Sequence, residues 1–302
     1  MKGSDMKITE GYMPFMGYKT YYRIAGESTD KPPILLLHGG PGSTHNYMEL
    51  LDPIAQTGRQ VISYDQIGCG NSFVDGHPEL WKAQTWIEEL KTLRAYLHLD
   101  RLHLLGQSWG GMLEIQYLIT CSQDGIQSAV LSSTLPASWL WAKEQHRMIR
   151  YMSPEDQAAI ADAEQRNDYS GEAYQQANAR YMQLHCAGPY VKGKDPECLT
   201  RPKKSGEESY LTAWGPNEYT PLGTLRDFDF IDRLGEIHVP TLVVSGTDDL
   251  CTPLVAKTMY DAIPGARWEL FPDCRHMCYA DDTPRYLHML TQWLEEHDCA
   301  AH

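Results

Sequence analysis

Hydrophobic positions along this chain follow two rhythms. Short, largely apolar runs recur at helix-length intervals, at residues 34–37, 60–64, 102–105, 128–132, 242–245 and 268–271. A strand that is apolar at every position has both faces buried, and strands joined by helix-length segments pair in parallel. The spacing therefore predicts an α/β fold with a mostly parallel central sheet flanked by helices. Ahead of these runs, residues 7–24 are rich in β-formers around Gly11 and Gly17, which predicts an antiparallel hairpin opening the sheet. From about Leu135 to Leu225 the strand rhythm stops. Ser153-Pro154-Glu155-Asp156 supplies an N-cap serine, a proline at the first helical position and acids in the first turn, so a helix begins there. Ser170-Gly171-Glu172 opens another, whose Tyr174, Ala177, Tyr181 and Leu184 share one face and read as packing. The predicted division is a sheet domain in two parts, 1–134 and 226–302, with a helical cap inserted at 135–225.

Chemistry enters at Gly106-Gln107-Ser108-Trp109-Gly110-Gly111, between the apolar run Leu102-His103-Leu104-Leu105 and a helix-compatible segment from Met112. Alone, Gly-x-Ser-x-Gly marks an ordinary turn; between a strand and a helix it is a nucleophile elbow, and Ser108 is the candidate nucleophile. His38-Gly39-Gly40-Pro41-Gly42 follows the 34–37 run and reads as an oxyanion loop, with the N–H groups of Gly40 and Trp109 as expected donors. An α/β-hydrolase fold presents nucleophile, acid and histidine in that chain order, each on a loop after a strand. Here the 242–245 run ends in Gly246-Thr247-Asp248-Asp249 and the 268–271 run in Pro272-Asp273-Cys274-Arg275-His276. His276 is the expected base. Adjacency does not separate Asp248 from Asp249; position favours Asp248, the first carboxylate after the strand, as the acid. His38 is assigned local hydrogen bonding, and His288, His297 and His302 fall in or beyond a polar C-terminal helix as surface groups.

Composition narrows the rest. The 302 residues, 42% hydrophobic, suffice for one large domain with an insertion. A net charge of −14 argues against nucleic acid and anionic membranes as partners and is permissive for cationic substrates. No run approaches the length of a membrane span, and the start lacks the apolar stretch of a signal peptide, with Met6 read as the natural first residue. Eight cysteines without a Cys-x-x-Cys pair point to reduced thiols and a cytoplasmic location. Cys274 and Cys278 bracket His276, where thiol reagents are expected to crowd the site; no metal site is expected there. No phosphate loop or dinucleotide fingerprint occurs, so no cofactor is implied.

Tyr64-Asp65-Gln66-Ile67-Gly68-Cys69-Gly70-Asn71-Ser72 and Trp214-Gly215-Pro216-Asn217-Glu218-Tyr219-Thr220 are more specific than the elbow. With the motifs around Gly40, Ser108 and Asp248, they make the chain resemble the prolyl aminopeptidases (proline iminopeptidases) of the α/β-hydrolase superfamily. The resemblance is strongest to the short Gram-positive bacterial type and runs from Met6 through nearly the whole chain. It implies a serine exopeptidase that releases an N-terminal residue, preferably proline, from short peptides with a free amine. It also implies that Glu218 meets the substrate's amine. Related enzymes carry a glutamate directly after the catalytic aspartate as a second amine contact; here Asp249 stands in that place, one methylene shorter. Asp65, Gln66 and Ser72 are expected to shape the loop beneath the oxyanion hole. Two other readings stay open: a broader amidase, arylamidase or esterase with the same triad, and a catalytically silent binding module of this fold.

Overall fold

A computed structural model describes residues 6–298. Eight strands form one sheet: β1 (Ile8–Phe15), β2 (Tyr18–Ala25), β3 (Ile34–Leu37), β4 (Val61–Tyr64), β5 (Leu102–Gln107), β6 (Ile126–Ser132), β7 (Thr241–Gly246) and β8 (Arg267–Phe271), in the spatial order β1-β2-β4-β3-β5-β6-β7-β8. The β1–β2 hairpin is antiparallel and joins the sheet through an antiparallel β2–β4 pairing; every other neighbour pair is parallel. The helices are α1 (Ala83–Tyr96), α2 (Trp109–Thr120), α3 (Ser138–Ile149), α4 (Pro154–Arg166), α5 (Glu172–His185), α6 (Glu197–Thr200), α7 (Glu207–Ala213), α8 (Pro253–Ala262), α9 (Cys278–Asp281) and α10 (Thr283–His297).

The central, largely apolar strands are buried on both faces because each face has its own cover. Leu35, Leu37, Leu104, Leu131 and Val243 pack toward α1, α2 and α8, while the alternate residues Ile34, Leu36, Leu105, Val130 and Val244 pack toward the 3-10 segment His45–Thr57 and α10. The last strand differs. Arg267, Glu269 and Leu270 of β8 are exposed, the charged edge expected of a strand with a free side.

Helices α3 to α7 lie between β6 and β7 in sequence and join the same apolar core through residues such as Ile160, Tyr174, Tyr181 and Trp214. Ser153 caps α4 by accepting the Asp156 N–H, and Pro154 opens the helix as its fixed φ allows. Tyr174, Ala177 and Tyr181 of α5 are buried, whereas Leu184, at the edge of that stripe and in the last turn, is exposed. The C-terminal helix, expected to be polar, is amphipathic: Tyr286, Leu290, Trp293 and Leu294, spaced at i, i+4, i+7 and i+8, are buried while His288 is exposed. His297 bonds the Trp293 carbonyl through Nδ1 at 2.7 Å, and His302 lies outside the described residues.

Just beyond α10, Asp298 receives a bidentate bond from the buried Arg59 guanidinium, at 2.7 and 2.9 Å, across 239 residues of chain. Among the described residues no helix is long and apolar enough to cross a membrane.

Candidate active site

In a parallel sheet the loops after the strands gather at one edge, and the candidate chemistry sits on them. Ser108 ends β5 and caps α2 with φ 56° and ψ −123°, the strained turn of a nucleophile elbow. Neighbouring bonds hold it: its N–H donates to the Ser132 carbonyl at 3.0 Å, and its carbonyl accepts the Thr134 hydroxyl at 2.6 Å. Gly110 allows α2 to start this close to the sheet, since a Cβ there would stand 2.0 Å from the Leu37 carbonyl oxygen.

The loop after β3 brings Gly39 against Ser108; a Cβ on Gly39 would fall 3.0 Å from the serine's own Cβ. Gly40 has φ +122°, a region that side chains rarely enter. Among the described residues the N–H groups of Gly40 and Trp109 meet no protein acceptor. Gln66 braces the two segments that carry them. Its side chain donates to the His38 carbonyl at 2.8 Å and accepts the Trp109 indole N–H at 2.8 Å, while its backbone N–H donates to His38 Nε2 at 3.0 Å. Burial lowers the pKa of His38 to about 4, so the ring stays neutral with Nε2 as acceptor. Asp65 accepts the His45 and Asn71 backbone N–H groups at 2.9 and 2.8 Å, and its carbonyl takes the Ser72 hydroxyl at 2.6 Å. These three residues shape the loop, as their sequence suggests.

The acid departs from expectation. Asp249, not Asp248, meets His276, with Oδ1 2.8 Å from Nδ1. The reason lies in the strand exit: Thr247 and Asp248 extend the β7 pairing through N–H bonds to the Phe271 and Cys274 carbonyls, which leaves the Asp248 side chain exposed. The chain then turns inward, and Asp249, 1% exposed, also accepts the Ser133 hydroxyl and the N–H groups of Gly246 and Cys251. That saturation argues against the expected amine contact at Asp249, because its carboxylate bonds four protein donors and does not line the cavity.

His276 is fixed from several sides. Its backbone N–H donates to the His185 carbonyl at the end of α5, its carbonyl accepts Gln107 Nε2 at 3.3 Å, and the Trp141 ring meets it edge-on at 5.7 Å. Ser108 and His276 line one cavity of about 600 Å³ between the strand-end loops and the inserted helices, and Glu218 lines it too. Glu218 Oε1 accepts the Tyr210 hydroxyl at 2.8 Å, and its backbone carbonyl accepts the Trp141 indole at 2.8 Å. Burial pushes its carboxyl above the ordinary range, with His276 and the Tyr210 hydroxyl pulling the other way.

Several cavity residues had no sequence signal. Tyr210, Lys203, Cys186 and Cys198 come from the inserted segment, whose placement depends on tertiary packing. The thiols differ from expectation as well: Cys274 and Cys278 are buried, and the cysteines that line the cavity are Cys186 and Cys198. Among the described residues no group of three or more His, Cys, Asp or Glu is placed to hold a metal ion.

The sequence pattern described as the alpha/beta hydrolase fold matches residues 32–283. A proline iminopeptidase of Clostridioides difficile strain 630 is 60% identical over 294 residues, covering 97% of this chain and all of the relative. One from Lactobacillus acidophilus is 55% identical over 295 residues, with 97% and 100% covered. Among solved structures, a proline iminopeptidase of Mycobacterium smegmatis superposes with a TM-score of 0.85 at 30% identity, covering 97% of this chain and 100% of that one. The protein VinJ superposes at 0.87 with 30% identity, covering 96% and 99%.

Proposed function

Because this chain belongs to the proline iminopeptidases of the α/β-hydrolase fold, we infer that it hydrolyses the bond after an N-terminal proline in peptides. Ser108 is the nucleophile and His276 the base that takes its proton, while Asp249 holds the Nδ1 tautomer and stabilises the imidazolium. The Gly40 and Trp109 N–H groups receive the carbonyl oxygen as it becomes an oxyanion. When the tetrahedral adduct collapses, His276 returns the proton to the leaving amine and the prolyl group stays on Ser108 as an ester. A water then repeats the sequence from the other side and frees proline.

The observation that carries the exopeptidase reading is Glu218. It is a carboxylate half-buried in the same cavity as Ser108 and His276, with one oxygen bonded to Tyr210. A protonated N-terminal amine placed there is sheltered from water, where opposite charges attract more strongly. That contact sets the first carbonyl at Ser108 and rejects peptides whose amine is blocked. Short peptides with a free N-terminus are therefore the substrates. The cysteine pattern supports a reducing, cytoplasmic setting for this activity.

Glu218→Gln tests the anchor. It keeps the shape and removes the charge, so kcat/KM for a free prolyl arylamide should fall by about a hundredfold. The N-acetylated analogue, poor with either protein, should change little. Since burial raises the Glu218 pKa, the carboxylate becomes neutral at a higher pH than an exposed glutamate does. Wild-type KM should accordingly climb as pH falls through that raised value, and the variant should lose the climb. An unchanged ratio of free to acetylated substrate would remove Glu218 from this role.

A further inference from the structure

Two charged groups that line the catalytic cavity, Lys203 and Glu207, are used by neither the packing nor the chemistry above, and Lys203 is the cation of the two. Lys203 lines the cavity from the segment between α6 and α7. Its basic neighbours are engaged: Arg201 bonds Glu49 at 2.9 Å and Glu197 at 2.6 Å, and the Lys204 ammonium stands 3.4 Å from the centroid of the Phe73 ring. Among the described residues Lys203 makes no ion pair and no hydrogen bond; its ammonium lies 5.8 Å from the centroid of the Tyr47 ring. That ring leads to the reaction centre. The Tyr47 hydroxyl accepts the Gly39 N–H at 2.6 Å and donates to Gln107 Oε1 at 2.9 Å, beside the oxyanion loop and Ser108.

We propose that Lys203 receives the C-terminal carboxylate of the substrate, so that the preferred substrates are free di- and tripeptides held by Glu218 at one end and Lys203 at the other. The proposal rests on the aminopeptidase reading and names its substrate class. A protein of net charge −14 repels a peptide's anionic end, and among the described residues Lys203 is the one lysine or arginine lining this cavity to offset that. Lys203 is exposed overall, so its ammonium is open to a ligand, while desolvation on the side facing the protein draws its pKa down. The volume agrees: about 600 Å³ lies within the roughly 300–1,000 Å³ of cavities that hold drug-sized ligands, more room than a lone prolyl group needs. Because an extended chain advances about 3.5 Å per residue, a cation at a fixed place selects one or two peptide lengths.

The test compares Pro-Ala and Pro-Ala-Ala with their C-terminal amides and with a prolyl arylamide, using wild type, Lys203→Gln and Lys203→Arg. Wild type should favour acid over amide by about tenfold in kcat/KM for at least one length, through KM. Lys203→Gln should bring that ratio close to one, and Lys203→Arg should restore most of it. Two results overturn the proposal: a wild-type ratio near one at both lengths, or a loss in Lys203→Gln shared equally by acid, amide and arylamide, which marks a purely structural lysine. A wild-type protein that cleaves none of the prolyl substrates refutes the activity itself, and the carboxylate site with it.

Discussion

Asp249 holds four donors at once, from the Ser133 hydroxyl, His276 Nδ1 and the N–H groups of Gly246 and Cys251. A carboxylate so fixed has no freedom to follow a substrate, and it suits the proposed role of holding one imidazole tautomer in place. Asp249→Asn should therefore lower kcat by on the order of 10³- to 10⁴-fold, while Asp248→Asn, altering an exposed side chain, should stay within about threefold of wild type. Steady-state kinetics on a prolyl arylamide, with labelling of Ser108 by a phosphonate as a second readout, decides between them. The reverse ranking would return the acid role to Asp248. Sequence did not separate the two because both follow the strand. Which one turns inward depends on how far the β7–β8 pairing continues, and that is settled by the Phe271 and Cys274 carbonyls on another segment. Ser108, His276 and Gly40 were legible because their motifs are local, each a loop of a few residues after an apolar run.

Among elements, the contact that would set the proposed oxyanion hole is the seat of α2 on the end of β3. The first turn of the helix carries the Trp109 N–H, and only a glycine at 110 lets that turn approach the Leu37 carbonyl, which lies 2.0 Å from where a Cβ would stand. Gly110→Ala should push α2 outward, costing about 2 kcal/mol of stability and at least tenfold in kcat, because the Trp109 N–H moves with the helix. A urea midpoint and a turnover number measured on one preparation check both; normal turnover in a destabilised variant would detach Trp109 from the oxyanion role. Strands and elbow were readable at this scale since period and length distinguish them. The inserted helices were readable as helices but not as a wall. Tyr210, Lys203 and Glu218 converge through packing of segments that carry no shared pattern, and of the three only Glu218 had a motif to mark it.

At the scale of the whole molecule, Arg59 and Asp298 join distant parts of the chain. Arg59 is 1% exposed, and its guanidinium also donates to the Pro32 carbonyl at 3.1 Å, so removing the aspartate strands a buried cation. Asp298→Ala should cost about 3 kcal/mol, read as a lower urea midpoint with KM for prolyl arylamide little changed; a midpoint within error of wild type would show that the pair carries no net stability. The same bond has a consequence in time. Chains emerge from the ribosome from the N-terminus at roughly 5–20 residues per second, and N-terminal parts begin to fold first. Arg59 is made 239 residues before its counter-ion. For that interval, on the order of ten seconds or more, Arg59 has no Asp298 to pair with and the sheet face that α10 covers in the finished fold has no α10 to cover it. The burial of Arg59 against this sheet face is therefore completed only once Asp298 and α10 are available, which makes this corner one of the last parts of the fold to close.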